Sequence, residues 1–162
     1  MDGEHQQLPY RKRFGRKFYV HSDECLRCPV CGGDLRPFGT RIRKVIDSGG
    51  EEVTLIIRRL RCVNEKCGKI HHELPDIVVP YKRYCAETVE AAITEDTEAI
   101  VCEEGTIRRI RAWWTAKRLY FMSVLTSLRE KYGTVFPANA APREIFRAVT
   151  NAHLWPSTRS VW

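Results

Sequence analysis

Cys28-Pro29-Val30-Cys31-Gly32-Gly33 and Cys62-Val63-Asn64-Glu65-Lys66-Cys67-Gly68 are the two stretches on which the fold of this chain turns. Each puts two thiols on a short knuckle, and the neighbouring glycines let backbone N–H groups swing toward sulfur. Four thiolates make a tetrahedral set for zinc, at about 2.3 Å per Zn–S bond. A single CxxC pair also suits a redox dithiol. Here the second pair, the trailing glycines and the chain between them point instead to one structural Zn2+ held by Cys28, Cys31, Cys62 and Cys67. Such a site has no open coordination position, so the metal holds the fold and catalyses nothing. Cys25 is an alternative to Cys28, although the CPxCGG context favours Cys28 and Cys31. His71 and His72 are further alternatives, and the favoured reading packs one ring and exposes the other. Cys85 and Cys102 read as small buried hydrophobes.

The chain between the knuckles reads as a hairpin. Thr40 to Ile46 alternates approximately, with Arg41 and Arg43 outward and Ile42 and Val45 inward; Asp47-Ser48-Gly49-Gly50 is a turn; Val53 to Leu60 is rich in β-branched residues. A third strand through Lys69 to Glu73 completes a three-stranded antiparallel zinc ribbon over residues 25–80. Residues 1–24 read as an irregular basic arm carrying Arg11, Lys12, Arg13, Arg16 and Lys17. From 81 to 162 the period becomes helical. Ala86, Val89 and Ile93 share one face; Ile107, Ile110, Trp114, Phe121, Leu125 and Leu128 form a longer stripe that Gly133 ends; a last helix starts near Pro142 with Ile145, Phe146 and Val149 inward. The fold class expected is α+β, a zinc ribbon followed by a helix-turn-helix-like region.

The 162 residues carry 27 Lys plus Arg against 20 Asp plus Glu, a net charge of +7, which suits a polyanionic partner. The ribbon supplies Arg41, Arg43, Lys44, Arg58, Arg59 and Arg61. Cys102 to Trp114 has the make-up of a recognition helix, with Arg108, Arg109 and Arg111 projecting, Lys117 and Arg118 further on, and Gly105 where the turn before it would fall, after a short helix through Glu95 to Val101. Trp113 beside Trp114 offers a stacking surface, although core packing is favoured for at least one of them. No stretch approaches the roughly 20 apolar residues of a membrane-spanning helix, and the first residues lack the apolar middle of a signal peptide, so a cytoplasmic location is expected. No Ser/His/Asp set, P-loop or Rossmann glycine pattern occurs, so an enzyme is not expected.

CPVCGG, RRLRC, CGKIHHELPDIVVPYKRY and GTIRRIRAWW together, spanning roughly Cys28 to Arg118, give the chain a further character. In these motifs it resembles small bacterial zinc-ribbon/helix-turn-helix proteins that look like detached N-terminal DNA-binding regions of insertion-sequence transposases. The resemblance implies binding of DNA ends or operators by Arg108, Arg109 and Arg111, with a transposase or other mobile-element protein as partner. Leu119 to Trp162 departs from that pattern. It holds only two acids, Glu130 and Glu144, where a metal-dependent nuclease needs several converging carboxylates. The expected function is therefore that of a transposon-associated accessory or regulatory protein that binds double-stranded DNA. A zinc-ribbon adaptor that docks another protein, and an RNA-binding protein, are the alternatives.

Overall fold

The computed structural model describes residues 11–12, 17–23, 25–96, 98, 100–152 and 154–156. Arg13, Arg16 and the end of the tail, 157–162, lie outside the described residues, as do Thr97 and Ala99 of the expected short helix. The fold is mixed α+β. By internal contacts it divides into two units, Met1–Val45 with Glu52–Pro75, and Ile46–Glu51 with Asp76–Trp162.

In the first unit, the β-branched run from Val53 to Ile57 makes a strand that pairs on both edges. The strands are β1 (Arg11–Lys12), β2 (Lys17–Val20), β3 (Leu35–Ile46), β4 (Glu52–Cys62) and β5 (Ile70–His72). Their order is β1-β2-β4-β3, with β5 also on β4. β5 runs antiparallel to β4, placing Leu60 opposite His71. β2 runs parallel to β4, with Phe18 beside Leu55 and Val20 beside Ile57. The sheet therefore has more than the three antiparallel strands expected, and residues 17–20, expected to be irregular, form one of them. Phe18 and Val20 explain this: the two residues point to the same side, and Val20 is buried.

Ile42, expected to face inward with Val45, is instead 66% exposed, while Val45 is buried. Side chains alternate with a period of two along a strand, so 42 and 45 fall on opposite faces and only one can join the core.

In the second unit, the turn that joins β3 to β4 is held by Asp47. Its carbonyl accepts from Gly50 N–H at 3.0 Å and its side chain from Glu51 N–H at 2.8 Å. Gly50 has φ +83, and a Cβ there would meet Val101 Cγ1 at 2.7 Å, so both conformation and space call for glycine. The helices are α1 (Ala86–Thr94), α2 (Glu104–Tyr132) and α3 (Pro142–Asn151). Gly133 at φ 68 ends α2, its N–H donating to the Arg129 carbonyl at 2.8 Å. At α3, Pro142 occupies the first turn and the Glu144 carboxylate accepts from Ala141 N–H at 2.9 Å. Gly105 lies inside the first turn of α2 and not in a turn between helices; the tight turn expected there is replaced by the connection 95–103.

The core of this unit is aromatic. Phe121 is fully buried, and its ring centroid lies 5.8 Å from Trp113, 5.7 Å from Trp114, 5.9 Å from Phe146 and 5.3 Å from Trp155. Trp113 is thus buried in the core cluster, and Trp114 packs against it half-buried.

Lys82 is only 2% exposed, its Nζ 4.3 Å from the centroid of the Trp113 ring. Burial, and then repulsion from Lys117, hold its ammonium down at about 7 against an ordinary 10.5. Between those two values the unfolded chain carries a proton that the folded chain does not. Raising the pH across that window therefore stabilises the fold, by at most about 1.4 kcal/mol per pH unit. Thermal melts between pH 7 and 10 are expected to rise accordingly, and Lys82→Met is expected to flatten the rise. Equal slopes in the two proteins would remove Lys82 as its source.

Candidate metal centre

The first knuckle closes on itself: Gly32 N–H donates to the Cys28 carbonyl at 2.7 Å, and Cys28 N–H to the Gly33 carbonyl at 2.8 Å. In the second, Cys67 and Gly68 N–H both donate to the Asn64 carbonyl, at 2.9 and 2.8 Å. Cys62 ends β4 and donates its N–H to Lys69 at 2.9 Å, while Val63 N–H reaches back to the Asp34 carbonyl at 2.9 Å. The last bond ties the second knuckle to the chain leaving the first, and the hairpin brings both to the same place.

The four Sγ atoms of Cys28, Cys31, Cys62 and Cys67 all lie within 4.8 Å of one another. Cys28 and Cys67 are 3.7 Å apart, and Cys31 and Cys62 are 3.4 Å apart. A tetrahedron with Zn–S of about 2.3 Å has edges of about 3.8 Å, so the spacing fits one ion at its centre. A set of four sulfurs accepts zinc or iron on geometry alone. Gly33 seals the cluster from the side: a Cβ there would stand 3.2 Å from Cys62 Sγ and 3.3 Å from Cys31 Sγ.

The thiols are not equivalent. Cys31 is lowered to about 7, chiefly because Gly33 N–H donates to its sulfur, and then by Cys62. Cys62 is pushed up to about 12, chiefly by burial. A metal binding here must displace the Cys62 proton, so acid weakens the centre and alkali favours it.

His71 is buried with Nε2 3.3 Å from Cys28 Sγ, outside the four-sulfur set. When Cys28 is a thiolate, Nε2–H donates to it, as an outer-shell group that steadies a ligand does. Burial, and then Lys69, lower its pKa, which keeps the ring neutral. His72 is exposed, and Cys25 is exposed and apart from the cluster.

The cationic residues separate into roles that their types alone did not reveal. In the ribbon, Arg58 is committed to the buried Glu73 carboxylate, with Nε to Oε2 at 2.8 Å and Nη2 to Oε1 at 3.0 Å; Ser22 N–H donates to the same carboxylate at 2.8 Å. Lys44 pairs with Glu52 at 2.8 Å, and Arg43 is half-buried. Arg59 and Arg61 lie over Phe38, at 5.4 and 4.7 Å from its ring centroid, and Arg41 is exposed. In the helical unit, Arg108 and Arg109 are exposed, Arg108 reaching Glu104 at 3.4 Å. Arg111 donates Nε–H to the Ala92 carbonyl at 2.8 Å, where α1 ends, so it joins two helices. Lys117 is half-buried on the side of Lys82, and Arg118 lies along a groove beside Trp114 and Met122.

Sequence reasoning missed the Arg58–Glu73 pair and the bond from Arg111 to the Ala92 carbonyl. The one available signal was Glu73, an acid placed after two histidines in an otherwise basic segment. No curated protein and no solved structure matches the chain. The family model described as Domain of unknown function (DUF6431) matches residues 28–110, a span that holds all four cysteines and extends into α2. That match covers just over half of the chain, which therefore belongs to this family.

Proposed function

We propose that the chain is a DNA-binding protein with no catalytic centre of its own, whose ribbon is held together by one structural zinc ion. The observation that carries this reading is the cationic face of the ribbon around Phe38. Arg59 and Arg61 lie over a ring that is itself 41% exposed. Arg41 stands close enough that, after burial, its charge and that of Arg59 lower the pKa of His72. Among the described residues none of these three arginines pairs with a carboxylate, whereas Arg58 and Lys44 both do. Three unneutralised guanidiniums on a folded surface favour phosphate oxygens.

In this proposal α2 is the recognition helix, presenting Arg108 and Arg109 from its first turns, while Arg111 fixes it to α1. The connection 95–103 exceeds the three or four residues of a tight helix-turn-helix, so the pair is a looser relative of that motif. The motifs that resemble transposase N-terminal regions support a place beside a mobile-element protein, in the cytoplasm. Among the described residues no helix is long and apolar enough to cross a membrane.

Phe38 favours a second reading, single-stranded nucleic acid with an unpaired base stacked on the ring. Binding of matched duplex and single strands, titrated with salt, decides between them. Replacing Arg41, Arg59 and Arg61 together by Ala is expected to weaken duplex binding and to lower the slope of log K against log salt by about 0.9 per lost phosphate contact. Arg58→Ala is expected to lower the melting temperature without changing that slope. An unchanged slope in the triple variant would remove the ribbon face as the contact surface.

A further inference from the structure

The helical unit contains a groove of about 430 Å³ that the DNA-binding reading does not use. Its floor is apolar, built from Ile93 of α1, Trp114, Met122 and Leu125 of α2, Phe136, and Ile145 of α3. Arg118 and Arg129 also line it, and no Asp or Glu does. The two arginines are eleven positions apart on α2, three turns, so they fall on nearly the same face about 16 Å from one another. Met122 and Leu125 lie between them.

Four other arginines of this unit find acceptors, Arg108 on Glu104, Arg143 on Glu90, Arg147 on Asp76 and Arg111 on the Ala92 carbonyl, whereas Arg109 is exposed away from the groove lining. Arg118 and Arg129 have no carboxylate partner among the described residues. A guanidinium beside apolar surface, with no acid facing it, leaves a planar pair of donors for an incoming carboxylate. The volume lies in the range of small-molecule sites, which are mostly apolar with a few polar groups that fix orientation.

We propose that this groove binds a small amphipathic carboxylate, its apolar body laid over Met122, Leu125 and Trp114 and its head group held by Arg118 or Arg129. The charge of the lining selects an acid over a neutral molecule of the same shape. The proposed DNA contacts use Arg41, Arg59, Arg61, Arg108 and Arg109, none of which lines the groove, so the failure of either proposal leaves the other standing.

Octanoate and octanamide are matched probes, one charged and one neutral. Calorimetric titration of the full chain is expected to give saturable one-to-one binding of octanoate, with octanamide weaker by about tenfold or more, the worth of a charge-assisted hydrogen bond. Both arginines are exposed, so Arg118→Ala/Arg129→Ala is expected to keep the fold, checked by circular dichroism, while octanoate falls to the affinity of octanamide. Each single variant shows which guanidinium takes the head group. Quenching of Trp114 fluorescence by octanoate, lost in Trp114→Phe, would place the ligand in the groove. Equal binding of acid and amide, full affinity in the double variant, or no saturable binding of octanoate would each overturn the proposal.

Discussion

Cys62→Ser is expected to release the metal and unfold the ribbon, the largest single effect available in this chain. Structural zinc in small modules contributes on the order of 10–16 kcal/mol of apparent binding free energy at neutral pH, and that energy is folding energy because no such site exists in the unfolded chain. Cys62 is buried at the end of β4, its N–H fixed to Lys69 and its sulfur 3.4 Å from Cys31. A serine hydroxyl there is a shorter, harder and far less acidic ligand, and leaves the other three sulfurs without a fourth partner. Metal content per chain, read with far-ultraviolet circular dichroism before and after a chelator, measures the effect. Cys25→Ser is the matched control, exposed and outside the cluster, and is expected to keep both metal and fold. If Cys62→Ser kept one metal per chain and an unchanged melt, the four-sulfur centre would be wrong.

Phe121→Ala is expected to destabilise the helical unit by about 3–5 kcal/mol, the usual loss for removing a fully buried aromatic ring. Phe121 lies among Trp113, Trp114, Tyr120, Phe146 and Trp155, so its removal takes a partner from five rings at once. A hole bounded by large rigid rings closes poorly, which favours the upper half of that range. Denaturant melts followed by tryptophan fluorescence measure the loss. A cost below about 1 kcal/mol would mean that the rings repack around the space, and that the cluster is not a specifically packed core. Metal content is expected to be unchanged in this variant, since Phe121 and the cysteines belong to different units.

The four-cysteine cluster was legible because spacing constrains it: two pairs with glycines attached and a hairpin between them leave little choice of geometry. The long helix was legible for a similar reason, since a stripe recurring from Ile107 to Leu128 is repeated enough times to define its period. What stayed hidden depends on partners far away in the chain. β2 is four residues in a basic segment, and its place in the sheet is set by a parallel register with Thr54 to Ile57, which nothing local encodes. Nothing local to Lys82-Arg83 marks Lys82 as the one that is buried against Trp113. The arginines were the least legible. Composition gives their number, but the separation of Arg58 and Arg111, held in place, from Arg41 and Arg109, open to solvent, requires knowing which acceptors lie nearby.

The turn that joins β3 to β4 also limits how this gene can be cut and rejoined. Residues 46–51 belong with the helices, although the strands that carry them belong with the cysteine cluster. Ile46 accepts the N–H of Cys85 at 2.9 Å and donates its own to the Arg83 carbonyl at 2.8 Å, and Cys85 is the residue on which α1 begins. A fragment starting at Asp76 would begin α1 with both groups orphaned and with nothing in the place of Gly50 beside Val101. The helices are thus not a cassette that recombination can lift out behind Pro75, and a fusion that inherits them whole must inherit the hairpin as well.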